Sequence, residues 1–179
     1  TMDLLQATEY PMTRMTQNYQ LLTSLYRENW IVQNIIATIP NDIMRKWYTI
    51  KSAVGPDYID RMTCLEQKTQ IRKKLLLGMY WGRLYGGAAG IVLIKGHNDM
   101  SQPLDLNTVM PDSFLGLQVL DRWSGIFLDG SMVSDPEDPD YGLPEFYTIR
   151  DEETGSTAVR VHHSRVIRFT GRELPWMEQ

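Results

Sequence analysis

The sequence predicts an α+β fold in which N-terminal helices, one of them long, pack on a small, mainly antiparallel sheet. Three observations carry this. Apolar residues recur at spacings of three and four from Met15 to Leu84, which is a helical stripe. After residue 88 that period gives way to short apolar runs of strand length. The two textures occupy separate halves of the chain and do not alternate, which excludes a doubly wound sheet. At 179 residues the chain suits one domain, here read as residues 13–179, preceded by an extended arm over residues 1–12.

Each element has its own signal. The arm contains Met2, Leu4, Leu5, Tyr10 and Met12 without a consistent period. From Thr13 the positions Met15, Tyr19, Leu22, Leu25 and Tyr26 define a first helix. A second helix holds Trp30, Ile31, Ile35 and Ile36, and is expected to stop at Ile39 because Pro40 disfavours a helical residue before it. Asn41 or Asp42 then caps a short helix with Ile43, Met44 and Trp47. Gly55-Pro56-Asp57 is a turn into the longest helix, which runs from Tyr58 to Leu84 and ends at Gly86-Gly87. At least one of those two glycines is expected to have a positive φ.

Strands are expected over Ala89–Ile94, Gly116–Leu120, Glu145–Ile149, Ala158–Val161 and Val166–Phe169. The polar stretch Asp151–Ser156 connects two of them as a hairpin. Along the last strand, alternation places Ile167 and Phe169 on an inward face, with Arg168 directed to solvent or a carboxylate. The acidic, proline-bearing loop Ser134–Asp140 is expected to be solvated.

Charge and composition exclude several function classes. A formal net charge of −4 and a pI near 5.4 oppose tight binding of phosphate over a broad surface. No window has the roughly 18 uninterrupted apolar residues of a membrane helix, and no membrane partner is expected. The N-terminus has no signal-like core. Thr1 before Met2 reads as an expression boundary or a cut from a longer chain. One cysteine, Cys64, allows neither an internal disulfide nor a cysteine-based zinc site, and its neighbours Met62 and Leu65 predict a buried thiol.

The segment most suggestive of chemistry is His162-His163-Ser164-Arg165. Adjacent histidines on a strand point to opposite faces, so they cannot share one metal ion. No strained glycine elbow or orienting acid accompanies Ser164. The structural reading makes His163 and Arg165, like Gly86 and Gly87, parts of turns and strand edges. The glycines of Gly82–Gly90 follow a helix and precede a strand, the reverse of a phosphate-cradling loop. No catalytic residue, metal ligand or cofactor is therefore expected. Arginines beside aromatics (Arg45 with Trp47, Arg83 with Tyr85, Arg122 with Trp123) are candidates for subunit interfaces, with stacking on nucleic-acid bases the competing reading.

Four segments in order then resemble the phage portal proteins, specifically the portal-like family long catalogued as a domain of unknown function. They are Tyr26–Val32 through Ile39–Trp47, Trp81–Ala89, Leu120–Trp123 with Tyr141–Tyr147, and His163–Phe169 followed by Gly171 and Leu174-Pro175. The resemblance implies the wing-like N-terminal part of a longer portal chain, a structural subunit of the capsid-vertex ring through which DNA is packaged and ejected. It implies identical subunits as partners (a dodecamer), with capsid, terminase and head–tail adaptor proteins as neighbours. DNA would pass without sequence-specific binding, and the location would be the virion, with assembly in the host cytoplasm. A related branch carries a phosphoesterase that degrades cyclic oligonucleotide signals through paired His-x-Thr or His-x-Ser motifs. This sequence contains one such motif, at His162–Ser164, and that branch is the alternative. The resemblance places the branch's catalytic module downstream, so the expectation here is a non-enzymatic assembly protein.

Overall fold

The computed structural model describes residues 18–51, 55–123, 125–149 and 159–171. The N-terminal arm and the Asp151–Ser156 connection lie outside the described residues. Four helices come first: α1 (Tyr19–Glu28), α2 (Trp30–Arg45), α3 (Pro56–Thr69) and α4 (Ile71–Tyr85). Six strands follow: β1 (Gly87–Ile94), β2 (Phe114–Asp121), β3 (Ile126–Leu128), β4 (Phe146–Ile149), β5 (Val159–His162) and β6 (Val166–Thr170). They form two antiparallel three-stranded sheets, ordered β2-β1-β6 and β3-β4-β5. The class is α+β, with two sheets where the sequence suggested one.

Helix α2 does not stop at Ile39. It runs through Pro40, which is fully buried inside it. Proline has no N–H, so the carbonyl of Ile36, four residues earlier, loses its partner within the helix. Arg83 of α4 replaces it: its Nε donates to the Ile36 carbonyl at 3.2 Å and its Nη2 to that of Ile35 at 3.1 Å. At the end of α2, Arg72 donates to the Met44 carbonyl, and the Tyr80 hydroxyl lies 2.6 Å from Asn41 Oδ1. Buried Ile36, Pro40 and Met44 therefore face α4, while Ile31, Ile35, Ile39 and Ile43 stay at least half exposed.

The expected long helix is two helices. Gln70 takes a left-handed conformation (φ 52) that ends α3 and starts α4. Its N–H bonds back to the carbonyls of Glu66 and Gln67, so the break is hydrogen-bonded although no glycine or proline marks it. Among its described residues α3 has no buried side chain, and Cys64 is exposed on it. The expectation of a buried thiol fails because this helix lies on the outside.

Glycines let α4 approach the first sheet. A Cβ at Gly78 would fall 2.4 Å from the Phe169 ring, and one at Gly82 would fall 2.7 Å from the Phe169 carbonyl oxygen. Gly86 ends α4 with φ 78, and Gly87 opens β1 directly after it. On the far side of that sheet, Ala89 packs with Ile126 and Tyr147 of the second sheet, and Val166 joins this cluster. Strand β6 is thus covered on both faces. Phe169 turns to α4, and Val166 and Arg168 turn to the second sheet, while Ile167, expected inward, is 40% exposed.

Candidate functional site

Strand β5 ends at His162, and His163–Arg165 form a 3-10 turn before β6 begins. This turn fastens a distant loop by three hydrogen bonds. The His162 N–H donates to the Met100 carbonyl (2.9 Å), the Leu104 N–H donates to Ser164 Oγ (2.8 Å), and Arg165 Nε donates to the Gln102 carbonyl (2.9 Å). Arg165 was expected at a strand edge. It is instead 2% exposed, and its Nη1 finds no partner among the described residues.

Because the strand ends between the two histidines, their rings do not diverge. Their centroids lie 4.3 Å apart, tilted by 39°, so strand alternation does not govern this pair. His163 sits between two carboxylates, with Nδ1 3.0 Å from Asp140 and Nε2 3.9 Å from Asp138. Arg168 closes the group by pairing with the other oxygen of Asp140. The loop expected to be solvated therefore directs two of its acids onto the turn. Asx turns shape it, with the Asp138 side chain accepting from the Asp140 N–H at 2.8 Å.

His162 is arranged differently. Its Nδ1 lies 2.9 Å from Ser164 Oγ and accepts from the Ser164 N–H at 3.2 Å, which fixes the lone pair on Nδ1. The ring meets Phe146 edge-on at 5.3 Å. Burial, with the neighbouring His163 adding to it, pushes the His162 pKa below the ordinary histidine value and favours the neutral ring. Asp140 is held below the usual carboxylate range, first by its hydrogen bond from His163 and then by Arg168, against an opposing effect of burial.

Two chemistries fit this arrangement. A neutral imidazole next to a carboxylate-oriented one can accept and return protons. Asp138, Asp140 and His163 also each offer one ligand atom, all within 4.8 Å of one another. A cation there would compete with Arg168 for Asp140, so the donor set fits a metal poorly. Sequence reasoning found the histidines and missed the acids. Asp140 is 23 residues from His163, and only the fold brings it there.

Most of the arginine and aromatic candidates are engaged within the chain. Trp47 donates from Nε1 to Glu66 (2.9 Å), Arg83 bonds to α2, and the Tyr85 hydroxyl lies 2.9 Å from Thr23 Oγ1. Trp123 donates from Nε1 to the Tyr85 carbonyl (3.2 Å), stacks on Tyr19, and lies under the exposed Arg122. Arg45 is exposed and, among the described residues, pairs with Asp42 at 3.8 Å.

Residues 20–179 match the family described as Phage portal protein, and the chain belongs to that family. Its relatives carry a different kind of name. It is 32% identical over 152 residues to the Anti-CBASS protein Acb1 of Caulobacter sp. (strain RHG1), covering 84% of this chain and 23% of that one. A protein of the same name from Sphingomonas paeninsulae is 32% identical over 146 residues, covering 82% and 22%. An uncharacterized protein of Haemophilus influenzae is 27% identical over 162 residues, covering 90% and 35%. The chain thus spans about a quarter to a third of the length of these relatives.

These names overturn the expectation of a non-enzymatic ring subunit. Family membership gives the portal-like sequence, but the named relatives that share it are anti-CBASS proteins. The error lay in equating the family's sequence pattern with one role. A fold can carry several functions, and function must be argued from the site.

Proposed function

We propose that this chain is the N-terminal, portal-like portion (residues 13–179) of a phage anti-CBASS enzyme, a phosphoesterase that hydrolyses cyclic oligonucleotide signals in the host cytoplasm. The observation that carries this is the 32% identity to two proteins named Anti-CBASS protein Acb1, over more than four-fifths of the chain. The His162–His163–Ser164 turn supports it, because a phosphodiester hydrolase needs one group to accept a proton and another to supply one. His163, its Nδ1–H held by Asp140, has Nε2 free to take a proton from water as the water oxygen attacks phosphorus. His162, whose ring proton lies on Nε2, is suited to hold the departing sugar oxygen by a hydrogen bond as the P–O bond breaks, and the proton taken up by His163 returns to that oxygen.

The test is hydrolysis of cyclic di- and trinucleotides by the complete protein carrying this chain, with the linear products separated by chromatography. Hydrolysis by the parent is expected, with loss of at least about a hundredfold in His162→Ala and His163→Ala variants that keep the parent's circular dichroism spectrum. A parent that leaves every cyclic substrate intact would overturn the anti-CBASS reading. Full activity in both variants would remove the chemistry from this turn and leave the enzyme assignment standing.

A further inference from the structure

A cleft of about 950 Å³ lies between the C-terminal end of α2 and the junction of α3 and α4. This is the size of a small-molecule site. Its lining includes Arg45 and Trp47, the first arginine–aromatic pair that the sequence singles out, together with Arg72, Lys73, Gln67 and Gln70. The proposed chemistry at the histidine turn uses none of them.

Two of these residues stack on each other, with Tyr48 packed against the same indole ring at 4.8 Å. The Arg72 guanidinium lies over the Trp47 ring at 5.6 Å, and each partner is fixed by a hydrogen bond of its own. Trp47 is held through Nε1 on Glu66, and Arg72 through its donation to the Met44 carbonyl. Glu66, which with Asp42 also lines the cleft, accepts from the Tyr48 hydroxyl as well. A stack fixed in this way loses little freedom on binding a planar ligand. Arg45 and Lys73 are exposed on the rim. The Arg45 pairing to Asp42 is long, and Lys73 makes no ion pair among the described residues. Gln67 and Gln70 add side-chain amides that can both donate and accept.

We infer that this cleft is a nucleotide-binding subsite, in which the Trp47–Arg72 pair stacks on a base and Arg45 and Lys73 meet the phosphates. Bases stack on aromatic rings and guanidinium planes alike, and cations without tight carboxylate partners suit phosphate. The cyclic oligonucleotide as the particular ligand rests on the proposed function. The nucleotide class rests on the cleft itself.

The experiment measures binding of a fluorescently labelled cyclic dinucleotide to the complete protein by anisotropy, with hydrolysis followed separately. Arg45→Glu combined with Lys73→Glu is expected to weaken binding by about tenfold or more. Both side chains are exposed, so the melting temperature should hold. Arg61→Glu, on the separate cleft where Arg61 pairs with Asp112, serves as the charge control and should bind like the parent. Trp47→Phe should keep the fold and bind more weakly than the parent. Unchanged affinity in the double variant, or equal loss in the Arg61 control, would overturn the subsite. Binding that the double variant loses, in a protein that hydrolyses nothing, would uphold the subsite and sink the proposed activity. Hydrolysis with binding that no cleft variant alters would do the reverse.

Discussion

The seam between α2 and α4 and the turn between β5 and β6 both bury polar groups, but they satisfy them by different means. At the seam, neutral carbonyls of α2 accept from Arg83 and Arg72, so no carboxylate is needed and the contact has no acid to titrate. At the turn, Asp140 is shared between His163 and Arg168, and Asp138 lies on the other side of the His163 ring. The seam should therefore respond to volume and to lost donors, and the turn to pH. Perturbing each in its own terms tests that division.

The largest effect should come from Gly82→Val. Its Cβ would sit 2.7 Å from a backbone oxygen of β6, which cannot move aside as a side-chain tip could. A destabilisation of about 3 kcal/mol is expected, read as a shift of the denaturation midpoint in urea. A shift under about 1 kcal/mol would mean that α4 and β6 are not as closely apposed as described.

Arg83→Met should cost about 2 kcal/mol, because it keeps much of the aliphatic volume and leaves the Ile36 carbonyl without a donor beside Pro40. Pairing it with Pro40→Ala separates the causes. The alanine restores an N–H for Ile36, so Arg83→Met should be milder in that background. Equal costs in both backgrounds would show that Arg83 acts through something other than the proline defect.

At the turn, the effect should be small at neutral pH and appear on acidification. Asp140 and His162 both have folded pKa values below their ordinary ones, 3.8 and 6.5. In each case the unfolded chain binds more protons within the window, so stability is full above the ordinary value and is lost as pH falls toward the folded one. Melting temperature should therefore decline in two steps, one beginning near pH 6.5 from His162 and one below about pH 4 from Asp140. His162→Gln should abolish the upper step and Asp140→Asn should reduce the lower. An upper step that survives in His162→Gln would assign it to another group.

The same division explains how much of the molecule was legible in the sequence. The α+β order, the positive φ at Gly86 and the carboxylate partner of Arg168 follow from local period, turn chemistry and strand alternation. The continuity of α2 through Pro40 does not, because its remedy comes from Arg83, 47 residues from Ile36. Nor does the break at Gln70, where an ordinary residue adopts a conformation usually left to glycine. At the candidate site, the His-His-Ser motif was visible, but the acids that orient His163 come from a loop whose composition spoke only of solvent. The role was misjudged for a related reason: a family's sequence pattern describes a scaffold, and the histidine–aspartate arrangement at the turn is a matter of geometry.

Pro40 has a consequence for the order in which the chain gains structure. A helix interrupted at its own hydrogen-bond ladder is not self-sufficient, and the segment after Ile39 depends on a guanidinium supplied from α4. Neither half of α2 is long enough to be stable on local propensity alone, and the second half in particular must wait for docking against the later helix. Secondary structure and tertiary contact are thus acquired there in a single event. The loop closure that brings Arg83 to Ile36 becomes a gate on helix growth, and a chain released before α4 has emerged would lack a stable second half of α2.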